Sequence, residues 1–134
     1  MTLVATLGPK VTNEERTASG QVRILFQLER DGNAIGSATA QFDFSLRGLP
    51  ADARVQFAHI HLGTANVEGP ILLDSGLTAA RFRFANGAGS ISLPAVACDP
   101  KLAAEILADP GGYYFMVHSA RNPDGFVRGQ LKRE

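Results

Sequence analysis

Apolar and polar residues alternate over most of this chain, the signature of extended segments with one face turned toward a core. Leu3, Ala5 and Leu7 alternate with Thr2, Val4 and Thr6 and stop at Gly8-Pro9, so a first strand is predicted there. After a polar connection from Asn13 to Gly20, the residues Val22, Ile24, Phe26 and Leu28 interleave with Gln21, Arg23, Gln27 and Glu29. Asp31-Gly32-Asn33 marks a turn, and Ala38, Ala40, Phe42, Phe44 and Leu46 then alternate with Thr39, Gln41, Asp43 and Ser45. These two runs predict a hairpin that ends at Gly48-Leu49-Pro50.

The next strand, from about Arg54 to Leu62, breaks the rule. Val55 and Phe57 share parity with His59 and His61, whereas Ala58, Ile60 and Leu62 lie on the other face. One strand cannot bury both parities against one core, so a β-bulge or sharp twist is predicted near Phe57-Ala58. Ile71-Leu72-Leu73, Arg81 to Phe84, and Ser90 to Leu93 add short strand candidates, the last two on either side of Asn86-Gly87. One helix is well punctuated, with Asp99 as N-cap, Pro100 in the first helical position, Leu102, Ala103, Ile106 and Leu107 on one face, and Pro110-Gly111-Gly112 as the stop. Tyr113 to His118, the turn Asn122-Pro123-Asp124-Gly125, and Phe126 to Leu131 close the chain as a hairpin. About seven to nine short strands with one helix before the final hairpin predict an all-β fold, an antiparallel Greek-key sandwich. No repeat or linker interrupts it, so residues 1–134 are expected to form one domain.

Composition narrows the function classes. Thirteen basic and thirteen acidic residues cancel, removing the long-range field that nucleic acid or an anionic membrane would reward. No run approaches the roughly 18 consecutive apolar residues of a membrane span. Cys98 is the only cysteine, which excludes an internal disulfide and a cysteine-rich zinc cluster. Met1-Thr2-Leu3-Val4 does not read as a signal peptide, and none of Asn13, Asn33, Asn66, Asn86 or Asn122 begins a glycosylation acceptor.

The candidate chemistry is carried by the histidines. His59 and His61 stand two apart in a predicted strand, so both imidazoles project to one side, and His118 ends a second strand. Three neutral imidazoles with an open fourth position suit zinc or copper. Such a site requires deprotonated rings, so its affinity is expected to collapse below about pH 6. Asp74, Glu68 or Asp124 is placed to add a carboxylate or to orient a ring. The competing account is structural, with the histidines hydrogen-bonded to carbonyls near a strand end. Met116 shares a strand face with His118 and is a candidate soft axial ligand, while Arg128 is the candidate for attracting an anion to a bound metal. His118, Ser119 and Asp124 spell a hydrolase triad, but adjacent strand residues face opposite ways and no nucleophile elbow is present. Cys98 among Leu93, Val96 and Leu102 reads as buried packing.

Ala58-His59-Ile60-His61, Gly63, Gly69-Pro70-Ile71, and the run from Tyr114 through His118, Pro123, Gly125 and Arg128-Gly129-Gln130-Leu131 resemble the CHRD domain family over nearly the whole chain. That resemblance implies an immunoglobulin-like β fold and, since many relatives are exported, an extracellular or periplasmic location. More weakly, Gly48-Leu49 followed by His59-Ile60-His61 and later Met116-Val117-His118 is similar in layout to copper/zinc superoxide dismutases. On that likeness His59, His61 and His118 match copper ligands, which favours copper over zinc. A bridging fourth histidine, a zinc loop and a second cysteine are missing, so a mononuclear site is expected. The alternative function is a non-catalytic module that binds a protein or polymer, or that forms a homo-oligomer through an edge strand.

Overall fold

A computed structural model describes residues 1–134. Ten strands run in chain order as β1 (Thr2–Pro9), β2 (Ser19–Asp31), β3 (Ala34–Arg47), β4 (Val55–Leu62), β5 (Ile71–Asp74), β6 (Gly89–Ser92), β7 (Val96–Cys98), β8 (Tyr113–Ser119), β9 (Val127–Gln130) and β10 (Lys132–Arg133), with the helix α1 (Pro100–Ala108) between β7 and β8. All pairings are antiparallel, in the order β5-β4-β8-β9-β1-β2-β3-β6, with β10 beside β1 and β7 beside β3. The sheet curls into two layers because β1 belongs to both: Thr2 to Leu7 pair with β2, and Gly8 and Pro9 pair with β9. The chain crosses between layers from β3 to β4, from β5 to β6, and from β7 through α1 to β8.

The alternating residues fill the space between the layers. Val22, Ile24, Phe26, Phe42, Phe44 and Leu46 of the predicted hairpin are buried and face Ala58, Ile60, Phe115 and Val117. Phe115 stacks at 5.9 Å on Phe42 and lies 5.5 Å from Phe44, knitting the two sheets together. The helix forms where predicted. Asp99 Oδ1 accepts from the backbone N–H groups of Lys101 and Leu102, and Ala103, Ile106 and Leu107 are buried.

Two local expectations change. Arg81 to Phe84 is not a strand: the free edge of β3 at Asp43–Leu46 is taken by β6, leaving that run no ladder to join. Its alternation serves instead to bury Phe82, which stacks at 5.6 Å on Phe44. Within the Asn13–Gly20 connection a 3-10 turn, Glu14–Thr17, carries a fully buried Glu15.

The bulge is present, one residue before the predicted spot. Val55 pairs with Ser119 and Phe57 with His118, so Gln56 is the extra residue. Val55 therefore faces the core, and beyond the bulge Ala58 and Ile60 do so as well. Phe57, His59 and His61 are turned to the outer surface of the sheet, opposite His118, Met116 and Tyr114 respectively. This outer face is not bare: the loop between β4 and β5 and the turn between β8 and β9 lie over it, and all of β8 is buried. No helix is long and apolar enough to cross a membrane.

Candidate metal centre

Strand register brings the three histidines together. Ring centroids are separated by 4.9 Å for His59 and His118, 5.6 Å for His61 and His118, and 5.8 Å for His59 and His61. One ring nitrogen from each lies within 4.8 Å of the others. His61 and His118 are buried and His59 is nearly so.

Each ring is held from behind. The Nδ1–H of His61 donates to the Gly69 carbonyl at 3.0 Å, and the Nδ1–H of His118 donates to the Pro123 carbonyl at 2.8 Å. Asp74 Oδ1 lies 3.3 Å from Nε2 of His59 and favours a proton there. These partners assign the tautomers, leaving lone pairs on His59 Nδ1, His61 Nε2 and His118 Nε2. The consequence is a conflict. His59 Nδ1 and His118 Nε2 face each other at 3.2 Å, and His61 Nε2 is buried with no partner. Placing a proton between His59 and His118 does not resolve it. A proton on His118 Nε2 turns the Nδ1 lone pair against the Pro123 carbonyl, and one on His59 Nδ1 turns the Nε2 lone pair against the Asp74 carboxylate. Double protonation of a ring is disfavoured by burial, which pushes His59 down to about 4, helped by the neighbouring His118 and opposed by Asp74. Burial likewise lowers His61, against the pull of its Gly69 hydrogen bond, and lowers His118, against that of Pro123.

The roof of the site is clamped by Tyr114, Arg128 and Gln130. Tyr114 stacks on His61 with centroids 4.9 Å apart, and its hydroxyl oxygen accepts from the Gly69 N–H at 3.0 Å. Arg128 lies over the Tyr114 ring, 3.5 Å from the centroid, and its guanidinium donates to the carbonyls of Val67 and Thr64 and to Gln130 Oε1. Gln130 in turn donates to the carbonyls of Gly63, Gly111 and Tyr113. Arg128 thus braces the loop, with three of its N–H donors engaged by that loop and by Gln130. Gly69 is required at its position because a Cβ would fall onto the Leu62 carbonyl oxygen.

The carboxylates separate. Asp74 reaches His59, Glu68 pairs with Lys10 at 2.9 Å, and Asp124 offers its backbone carbonyl to the same lysine at 3.0 Å. Met116 is buried opposite His59 with its sulfur against Gly125. Ser119 points away from His118 and donates to Glu15 Oε1, so the hydrolase spelling has no geometry behind it. Cys98 is buried and its thiol is pushed up by burial, the opposite of a reactive thiolate.

The family model described as the CHRD domain matches residues 4–131. No curated protein and no solved structure matches the chain.

Proposed function

We infer that this chain, which belongs to the CHRD domain family, holds one metal ion at His59, His61 and His118 and serves to bind it or use it in redox chemistry, with copper the preferred ion. One observation carries this reading: when each ring's outer nitrogen satisfies its own partner, two lone pairs are forced together at 3.2 Å and a third is buried without a donor. A cation among them relieves that repulsion, and the Gly69, Pro123 and Asp74 contacts are the kind that orient histidine ligands in metal sites. Three imidazoles without thiolate favour divalent copper over zinc by the general affinity order, and a bound copper would supply one-electron chemistry. The chain's own part is to present neutral rings, fix their tautomers and exclude water behind them.

Titration of the purified, metal-free chain with divalent copper and with zinc, read by elemental analysis, tests this. One tightly bound copper per chain is expected, lost in His59→Ala and His61→Ala. Absence of stoichiometric metal in the unsubstituted chain refutes the site.

A second reading, a non-catalytic binding module with structural histidines, is favoured by one feature. Phe57, Leu62, Val67 and Ile71 are 45% to 53% exposed and all belong to β4, β5 or the loop between them. It predicts folding and partner binding that ignore chelators, and partner binding lost in Ile71→Asp while His59→Ala leaves it intact.

A further inference from the structure

Glu15 lies outside the histidine cluster, yet its contacts lead to it. This residue is 0% exposed, in a chain whose other buried residues are almost all apolar. Its Oε1 accepts from the Ser119 hydroxyl at 2.5 Å and from Asn122 Nδ2 at 2.5 Å, while Oε2 has no partner. Ser119 Oγ also accepts from the Asn122 N–H at 3.1 Å. Asn13 completes the network: its Oδ1 accepts from the Glu15 N–H and from Asn122, and its Nδ2 donates to Asn122 Oδ1 at 2.8 Å. Apart from the Glu15 N–H bond to Asn13, these bonds all engage Ser119 or Asn122, and the residue that follows is Pro123, whose carbonyl fixes the His118 ring at 2.8 Å.

We propose that Glu15 is a positioning residue for His118, acting through Ser119 and Asn122 to hold the Pro123 carbonyl where it fixes the ring tautomer. Burying a carboxylate is costly unless its hydrogen bonds are made, so a carboxylate placed under this turn does more than fill space. An amide of the same shape offers Ser119 and Asn122 a weaker, uncharged acceptor in place of Oε1 and buries N–H donors without an acceptor where Oε2 lies. The turn then loosens, and the Pro123 carbonyl no longer dictates which nitrogen of His118 carries the proton.

This inference rests on the metal-site reading for its consequence in affinity, but not for its effect on the ring. The test uses the full metal-free chain as unsubstituted protein, Glu15→Gln and Val22→Ala, the last a core truncation on β2 that lowers stability away from the site. Long-range nitrogen–proton NMR of the imidazoles reads the His118 tautomer, and competition with a chelator reads copper affinity. Glu15→Gln is expected to replace the single Nδ1–H tautomer by a mixture and to weaken copper by about tenfold, the low end of the range for residues that orient a ligand. Val22→Ala is expected to change neither. A single unchanged tautomer in Glu15→Gln overturns the proposal, as does an equal change in Val22→Ala. Failure of the unsubstituted chain to bind copper overturns the metal reading alone, since the tautomer readout still decides the role of Glu15. If Glu15→Gln does not fold, Ser119→Ala, which cuts one strand of the same network, is read identically.

Discussion

Acidification probes the candidate centre most directly. Burial takes His59 from 6.5 to about 4, and it lowers His61 and His118 in the same direction. The unfolded chain protonates these rings more readily than the folded one. The stability linked to them is therefore present in full above about 6.5 and is lost as pH falls toward about 4. At about 1.4 kcal/mol per pH unit, the His59 shift alone corresponds to about 3 kcal/mol. Its side chain is 13% exposed, so solvent screening trims this only modestly. The assay is urea unfolding of the metal-free chain at steps between about pH 7.5 and 4, compared with His59→Gln, which removes the titrating ring. Stability of the unsubstituted chain should fall across this window by about 2 to 3 kcal/mol more than that of the variant. The same burial bears on metal release: rings with lowered proton affinity compete with protons only at lower pH, so copper affinity should begin to fall at a lower pH than free imidazole ligands would dictate. Parallel pH profiles for the two proteins, or copper affinity falling steeply from about 6.5, would refute the argument that folding keeps these imidazoles neutral.

Three further outcomes follow from the packing around the site. Gly69→Ala should drive the β4–β5 loop off Leu62 and cost about 2 kcal/mol or more in chemical unfolding, with a loss of copper binding because the His61 acceptor moves with it. Arg128→Met should free the loop carbonyls of Thr64 and Val67 and expose the Tyr114 face, costing about 1 to 3 kcal/mol and raising amide hydrogen exchange across residues 63–70. Unchanged exchange would show that Arg128 does not brace the loop. Phe115→Ala, removing the ring that touches both Phe42 and Phe44, should cost about 3 to 5 kcal/mol by thermal or urea unfolding.

The larger strands were legible because alternation is a local property: every second residue of β2 and β3 had to be apolar to face one core. The bulge was legible as well, since Val55 and Ala58 cannot both be buried on a regular strand. Arg81 to Phe84 misled for the same local reason. Its alternation is real, but a strand also needs a free neighbouring edge, and β6 occupies it. Glu15 went unnoticed because a charged residue in a polar connection is ordinarily solvated. Its partners Ser119 and Asn122 lie more than a hundred residues away, with nothing in the local pattern to announce them.

By itself the sequence determined the all-β character, the helix and its cap, the bulged histidine strand and the grouping of His59 with His61, because each depends on residues a few positions apart. That the His118 ring meets the other two as the family likeness led one to expect, that three lone pairs converge, and that Arg128 braces a loop were decided by tertiary structure. The pairing of β4 with β8 sets Phe57 opposite His118 and so brings together rings 59 residues apart in sequence. Which nitrogen each ring turns inward is then fixed by Asp74, Gly69 and Pro123, acceptors supplied by β5 and by loops that fold over the sheet. A tautomer is chosen by the partner across space, and no spacing along the chain encodes it.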